Sequence, residues 1–156
     1  MRLLPVLLIA GLSVASLSAQ SGNGNGLIQQ ARGAKKVVVG TVTNVTSTFD
    51  VNAYGDRLIV SNAQLHVDET LKGPKEPSLT FTVEGGTVGE LSLSVSDMPV
   101  MEIGERAVVF LDDTNRGGHV PHGRGYGVLK LNANNQVDGT TLTLDDIKNA
   151  VQAANR

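Results

Sequence analysis

The stretch LIVSNAQLHVDETL, residues 58–71, decides the fold because apolar and polar side chains alternate along most of its length. A period of two places alternate side chains on opposite faces of a β-strand. The apolar face carries Ile59, Ala63, Leu65, Val67 and Leu71, and the polar face carries Asn62, Gln64, His66, Asp68 and Thr70. The pattern predicts a long strand with one face on a core and the other in water.

Shorter segments of the same character lie on both sides of this strand. Residues 36–46 are rich in Val and Thr, which favour strands, and Gly40 within them predicts a bulge or bend. Residues 78–83 and 91–96 alternate, and residues 126–131 form the last predicted strand. The run AVVFL, residues 107–111, is continuously apolar and predicts a central strand covered on both faces.

The period changes near the C-terminus. Thr143 and Asp146 have the spacing of a capping box, in which an N-cap side chain and the third helical residue bond to each other's backbone. Leu144, Ile147 and Val151 then share one helical face. We expect a terminal helix over residues 143–156 that packs on the sheet.

One long strand that bends, followed by shorter strands and a single helix, is typical of a small OB-like barrel. The predicted fold is mainly β, a Greek-key barrel of five to six strands with a C-terminal helix. The predicted domain organisation is a signal peptide over residues 1–19, a flexible lead-in and short helix over 20–35, the barrel over 36–142, and the terminal helix over 143–156. Within the lead-in, the helical turns are expected from Leu27 to Arg32.

The first residues have the anatomy of a secretory signal peptide. Met1-Arg2 is a short basic start, residues 3–17 are largely apolar, and the small residues Ser18 and Ala19 provide cleavage sites. The alternative is an N-terminal membrane anchor, but the apolar run is shorter and more interrupted than a span of about 20 residues requires. We expect an exported protein, periplasmic or extracellular, with no membrane span after cleavage.

The amino-acid composition of the chain restricts the kinds of partner that it can bind. The net charge is −2, and a weakly acidic domain lacks the basic patch that phosphate backbones attract. Aromatic residues make up 3% of the chain, without Trp, so platforms for stacking single-stranded bases are scarce. The chain has no Cys, which excludes disulfides, a cysteine nucleophile and thiolate metal sites. We therefore expect no nucleic acid partner and expect a protein partner instead.

Short motifs between residues 36 and 131 carry a family resemblance. They are VVGTV at residues 38–42, LKG at 71–73, VEGG at 83–86, and the GE of residues 104–105 before the apolar strand. With these motifs the chain resembles a widespread set of secreted bacterial proteins. It is also remotely similar to the netrin-like OB fold of the tissue inhibitors of metalloproteinases, which has a comparable Lys-Gly-Pro turn after its long strand. That second resemblance implies a netrin-like barrel. Those inhibitors use an N-terminal Cys on the protease zinc, and this chain has no Cys, so no functional residue is carried over.

His119 and His122 are the candidate metal ligands. Two imidazoles three positions apart, with Asp112 and Asp113 upstream, suit zinc. The alternative is a polar connection between strands, because Gly residues and Pro121 surround them. No other cofactor is indicated.

Three residues are candidates for binding a partner. Phe49 and Tyr54 lie within residues 49–56, the predicted connection between the first two strands, where exposed aromatic side chains can anchor a protein partner. They could equally cover the end of the barrel. His66 lies on the polar face of the long strand, which is either an ordinary solvated row or a recognition face of the kind that OB-like barrels use.

Three classes of function remain open at this point. The first is an exported, non-catalytic binding module that acts on another protein, including a protease inhibitor as a variant. The second is an enzyme or metal-binding protein built on His119 and His122. The third is a structural component of the cell envelope. The chain has no Gly-x-Ser-x-Gly motif, so the usual signature of a nucleophilic serine is missing, which favours the first class.

Overall fold

The computed structural model describes residues 21–156, with side chains from residue 24 onward. The signal peptide predicted for residues 1–19 lies outside the described residues. In chain order the elements are α1 (Ser21–Gly33), β1 (Lys36–Val51), β2 (Arg57–Lys72), β3 (Ser78–Glu84), β4 (Gly86–Val88), β5 (Leu91–Leu93), β6 (Arg106–Asp113), β7 (His119–Pro121), a 3-10 helix (Arg124–Gly127), β8 (Val128–Leu131) and α2 (Leu144–Ala154).

Six strands form one sheet that curls into a barrel. The order is β1-β2-β3-β7-β6-β8, and β1 pairs a second time with β6, so the ring returns to its first strand. All pairs are antiparallel except β3 with β7, which meet through the single residue pair Phe81 and His119. This is a Greek-key, OB-like order in which the ring is nearly closed. The prediction of a mainly β barrel of five to six strands with a C-terminal helix is confirmed.

The two longest strands, β1 and β2, form a ribbon that extends beyond the closed part of the barrel. β1 pairs with β2 from Val37 to Val51 but with β6 only from Lys36 to Thr41. The pairing with β2 shifts register between Val39 and Gly40, so the bulge or bend predicted at Gly40 is confirmed. Such a shift bends the strand and allows the sheet to turn a corner.

Alternate residues of β1 and β6 supply two separate hydrophobic cores. One core fills the barrel and includes Val38, Leu65, Phe81 and Val109. The other lies between the outer surface of these strands and the two helices, and it includes Val39, Phe110 and Ile147. Residues 107–111 have no exposed surface, which confirms that β6 is covered on both faces.

Helix α2 begins as the sequence predicts. Thr143 is the N-cap, its hydroxyl accepts a bond from the backbone N–H of Asp146, and Asp146 accepts one from the backbone N–H of Thr143. Leu144, Ile147 and Val151 are buried in the core that the helices cover. The terminal helix and its capping box are therefore confirmed.

Helix α1 begins earlier than expected. It starts at Ser21, inside the stretch predicted as a flexible lead-in, and runs to Gly33. Leu27 and Ala31 are buried in the helix-covered core. The free energy of that packing offsets the unfavourable nucleation of the first helical turn. Once a turn exists, each further residue adds one hydrogen bond, so a Gly- and Asn-rich sequence is helical despite its poor intrinsic propensity.

The connection from β6 to β8 also differs from the prediction. The stretch from Asp112 to Gly125 contains strand β7, because His119 to Pro121 pair with β6 and complete the ring. The last strand begins at Val128, after a 3-10 helix. The strand expected over residues 91–96 is shorter, and it forms β5 in a two-stranded hairpin with β4.

Across residues 21–156, no helix has both the length and the apolar character needed to cross a membrane.

Candidate functional site

The turn between β1 and β2 is organised by the side chain of Asn52, which is buried. Its Oδ1 accepts bonds from the backbone N–H groups of Tyr54, at 3.0 Å, and of Asp56, at 2.8 Å. Its Nδ2 donates to Oε1 of Glu84 at the end of β3, at 2.8 Å. An Asn side chain that replaces backbone partners in this way holds a turn in one conformation. The turn is therefore fixed to the barrel wall.

Arg124 extends this network to two further segments. Its guanidinium donates to Oε2 of Glu84 at 2.8 Å. It also donates two hydrogen bonds, one to each carboxylate oxygen of Asp97, which lies in the loop before β6. The backbone φ of Arg124 is 62°, a left-handed conformation that residues other than Gly seldom adopt. The hydrogen bonds from Arg124 lower the pKa of the Asp97 carboxyl, and those to Asp97 and Glu84 raise the pKa of Arg124. The guanidinium of Arg124 therefore stays charged at every physiological pH.

Tyr54 lies over this network, with its ring centroid 5.6 Å from the guanidinium carbon of Arg124. That distance is within the range of a cation–π interaction. The side chain is nevertheless 69% exposed. We call the group formed by Asn52, Tyr54, Glu84, Asp97 and Arg124 the Tyr54 corner. It offers a large exposed aromatic surface on a backbone that is already ordered.

The structure separates the two aromatic residues that the sequence places in one connection. Phe49 is part of strand β1, where it pairs with Ile59, and it is 56% exposed. By strand alternation it lies on the same face of the ribbon as Ser47, whose hydroxyl contacts Ser61 at 2.8 Å. Tyr54 instead belongs to the turn and lines a small hollow of about 40 Å³ with Val60 and Arg124. Phe49 is not one of the residues that line this hollow.

The polar row that contains His66 continues across three strands. Register places polar side chains opposite each other in three rungs, which are Thr41–His66–Ser78, Asn44–Gln64–Thr80 and Thr46–Asn62–Thr82. Within the third rung, the hydroxyl of Thr82 donates to Asn62 at 2.7 Å. His66 is exposed on this surface. The arrangement is a broad face of hydroxyl and amide groups on β1, β2 and β3.

The two candidate metal ligands each contact a different carboxylate. Nδ1 of His122 lies 2.8 Å from Oδ2 of Asp112, and Nδ1 of His119 lies 3.0 Å from Oδ1 of Asp113. Nε2 of His122 faces the end of α1, where a Cβ on Gly33 would lie 2.4 Å from it. Within residues 21–156, no three His, Cys, Asp or Glu side chains converge as a metal site would require. Zinc binding stays a prediction.

Sequence reasoning missed most of the Tyr54 corner. Glu84, Asp97 and Arg124 come from three segments far apart in the chain, and each has the local sequence of an ordinary turn. The one local signal is Gly123-Arg124-Gly125, because a residue between two glycines often has an unusual backbone conformation. Only Tyr54 was identified from the sequence.

The chain was also compared with known proteins. A scan against protein-family models finds no match for this chain, and a search of curated proteins finds none either.

Proposed function

We propose that this protein is an exported, non-catalytic binding module that acts on another protein, and that the Tyr54 corner is its anchor. One observation carries the proposal: a tyrosine that is 69% exposed lies on a turn held by an extensive hydrogen-bond and ion-pair network. A side chain that contributes little to the core while its backbone is so well ordered has the properties of a binding anchor.

The chemistry of the corner supports a protein partner. Tyrosine is enriched at the energetic centres of protein interfaces because it combines a large apolar ring with a hydroxyl. The turn is already ordered in the free chain, so binding loses little conformational entropy. The weakly acidic charge of −2 argues against nucleic acid, because a phosphate backbone is bound by a basic surface.

The test is capture of a partner with matched tyrosine variants. The full chain, tagged at the C-terminus, is cross-linked to proteins of the envelope and culture supernatant of its source. Three baits are compared: the unmodified chain, Tyr54→Ala, and Tyr126→Ala. Tyr126 is the second tyrosine of the chain and is 81% exposed on the 3-10 helix, so it controls for loss of an exposed ring.

We expect one protein to be captured by the unmodified chain and by Tyr126→Ala and to be lost with Tyr54→Ala. Because interface anchors contribute about 2 kcal/mol or more, Tyr54→Ala should weaken the isolated complex by at least about 30-fold in Kd. Equal capture by all three baits would remove the Tyr54 corner from the function. No specific capture by any bait would favour the structural or metal-binding alternatives.

A further inference from the structure

Strand β1 has a long edge without a strand partner. β6 covers this edge only as far as Thr41, and the backbone of Val42 then bonds to Gly104 and Glu105, each at 2.8 Å. From residue 43 to residue 51, β2 is the only strand of the described part of the chain that pairs with β1. Six of these nine residues are exposed, Val45 packs partly against the barrel core, and the carbonyl oxygen of Val51 accepts a bond from Arg116 at 3.4 Å. The edge therefore has no strand partner and is open to solvent up to residue 50.

Apart from the Arg116 side chain at its end, this free edge lacks the features that usually prevent pairing with another chain. Residues 43–51, TNVTSTFDV, contain no Pro, Lys or Arg, and Asp50 is their one charged residue. The register shifts of β1 all fall before residue 45, and the pairing with β2 runs unbroken from Asn44 to Val51. Natural edge strands are normally protected by lysine, proline, a bulge or a covering loop. A regular, exposed and nearly uncharged edge is a template for strand addition.

We propose that this edge pairs antiparallel with the same edge of a second copy of the chain, with Ser47 on the two-fold axis. Ser47 is the midpoint of residues 43–51, so this segment would pair with itself once Arg116 releases the carbonyl oxygen of Val51. A closed two-fold dimer requires such a self-complementary surface. The proposal is independent of the Tyr54 corner, since Tyr54 lies beyond the end of the strand.

The side chains that meet in this register are complementary. Val45, which packs partly against the barrel core of its own copy, would lie opposite Phe49 of the second copy. Pairs of an aromatic with a β-branched residue stabilise antiparallel sheets. Thr46 lies opposite Thr48, and threonine pairs are also favourable. Asn44 lies opposite Asp50, so the carboxylate faces an amide donor and no like charges oppose each other. Shifting the two-fold axis to Thr46 or Thr48 would separate Val45 from Phe49.

The register also accounts for Phe49. Phe49 is 56% exposed in the free chain, and burying apolar surface is favourable. In the two-fold dimer, the Phe49 side chain of each copy would be covered by Val45 of the other copy. The three-stranded polar faces of the two copies would then join into one surface across the axis.

Disulfide trapping tests the register, because the chain has no Cys of its own. Thr46→Cys, labelled with ¹⁵N, is mixed with unlabelled Thr48→Cys under mild oxidation, and the disulfide dimers are separated by mass. Random collision would produce about half mixed dimers. We expect mixed dimers to exceed the two symmetric products at least tenfold, because residue 46 faces residue 48 across the axis. Thr80→Cys, exposed on β3 within the same polar face, is the control and should cross-link slowly.

Light scattering on the chain without cysteine provides the second measurement. We expect a mass twice that of the chain for the unmodified protein and for Thr80→Lys. Thr48→Lys should raise the dimer dissociation constant at least tenfold, because lysine on an edge strand opposes pairing. Circular dichroism confirms that each variant is folded. A monomer at every concentration, or a dimer that survives Thr48→Lys while mixed disulfides remain at the random proportion, would overturn the proposal.

Discussion

Gly40 shows how one residue permits the barrel to close. A Cβ at this position would lie 2.3 Å from the carbonyl oxygen of His66 and 2.7 Å from the side chain of Leu65. Both distances are far below van der Waals contact, so β1 and β2 approach this closely only because residue 40 has no side chain. The sequence marks the position, since a glycine within a Val- and Thr-rich strand predicts a bulge or bend.

Gly40→Ala should therefore destabilise the protein. We expect the free energy of unfolding to fall by about 1–3 kcal/mol, the usual cost of an overpacked core position. The matched control is Gly26→Ala in helix α1, where a Cβ meets nothing within 4 Å. There the same change should raise stability by up to about 1 kcal/mol, because alanine favours a helix. Chemical denaturation of both variants measures the difference, and equal effects would contradict this account.

At the scale of elements, helix α2 depends on a titratable cap. Oδ2 of Asp146 accepts bonds from the backbone N–H of Thr143, at 2.9 Å, and from its hydroxyl, at 2.6 Å. These bonds lower the pKa of Asp146 from its ordinary value of 3.8. Because the folded pKa lies below the unfolded one, the stabilisation is fully present above pH 3.8 and is lost as the pH falls through the folded pKa.

Asp146→Asn should consequently make the free energy of unfolding less dependent on pH below 3.8. The variant should be less stable than the unmodified chain at pH 7, and the difference should shrink as the pH falls below 3.8. Asp145→Asn, in the same first turn, removes the same charge and provides the control. Urea unfolding between pH 7 and pH 2 measures both. A constant difference for Asp146→Asn across this range would show that its ionised form does not cap the helix.

At the scale of the whole molecule, Lys72 joins the barrel to the helices. It is the last residue of β2, and its Nζ donates to the carbonyl oxygens of Ala31 at 2.8 Å, Arg32 at 3.1 Å and Ala34 at 2.7 Å. The final carbonyls of a helix lack partners within the helix and carry partial negative charge. One ammonium group therefore satisfies three acceptors and fixes the end of α1 against the sheet.

Lys72→Met keeps the apolar stem and removes the ammonium group. We expect a loss of about 1–2 kcal/mol in the free energy of unfolding, the range for hydrogen bonds to a charged group and for a helix C-terminus. Lys75→Met in the exposed turn after β2 is the control and should change stability little. Thermal melting compares the two variants. If they melt at the same temperature, Lys72 does not hold α1 in place.

The sequence by itself determined the main strands of the barrel and the terminal helix. Alternation in β2 and β3, the apolar run of β6 and the capping box of α2 are local patterns, and each reflects burial or hydrogen bonding within one short segment. Tyr54 also stood out locally, as an aromatic residue in a turn.

Only the tertiary structure decided where distant segments meet. β7 has three residues, and it is a strand because β3 and β6 lie on either side of it rather than because of its own sequence. The Tyr54 corner combines segments around residues 52, 84, 97 and 124, whose contacts depend on how the ring of strands closes. The free edge of β1 exists because β6 ends its pairing at Thr41. Such features depend on contacts between residues far apart in the chain, and local periodicity carries no information about them.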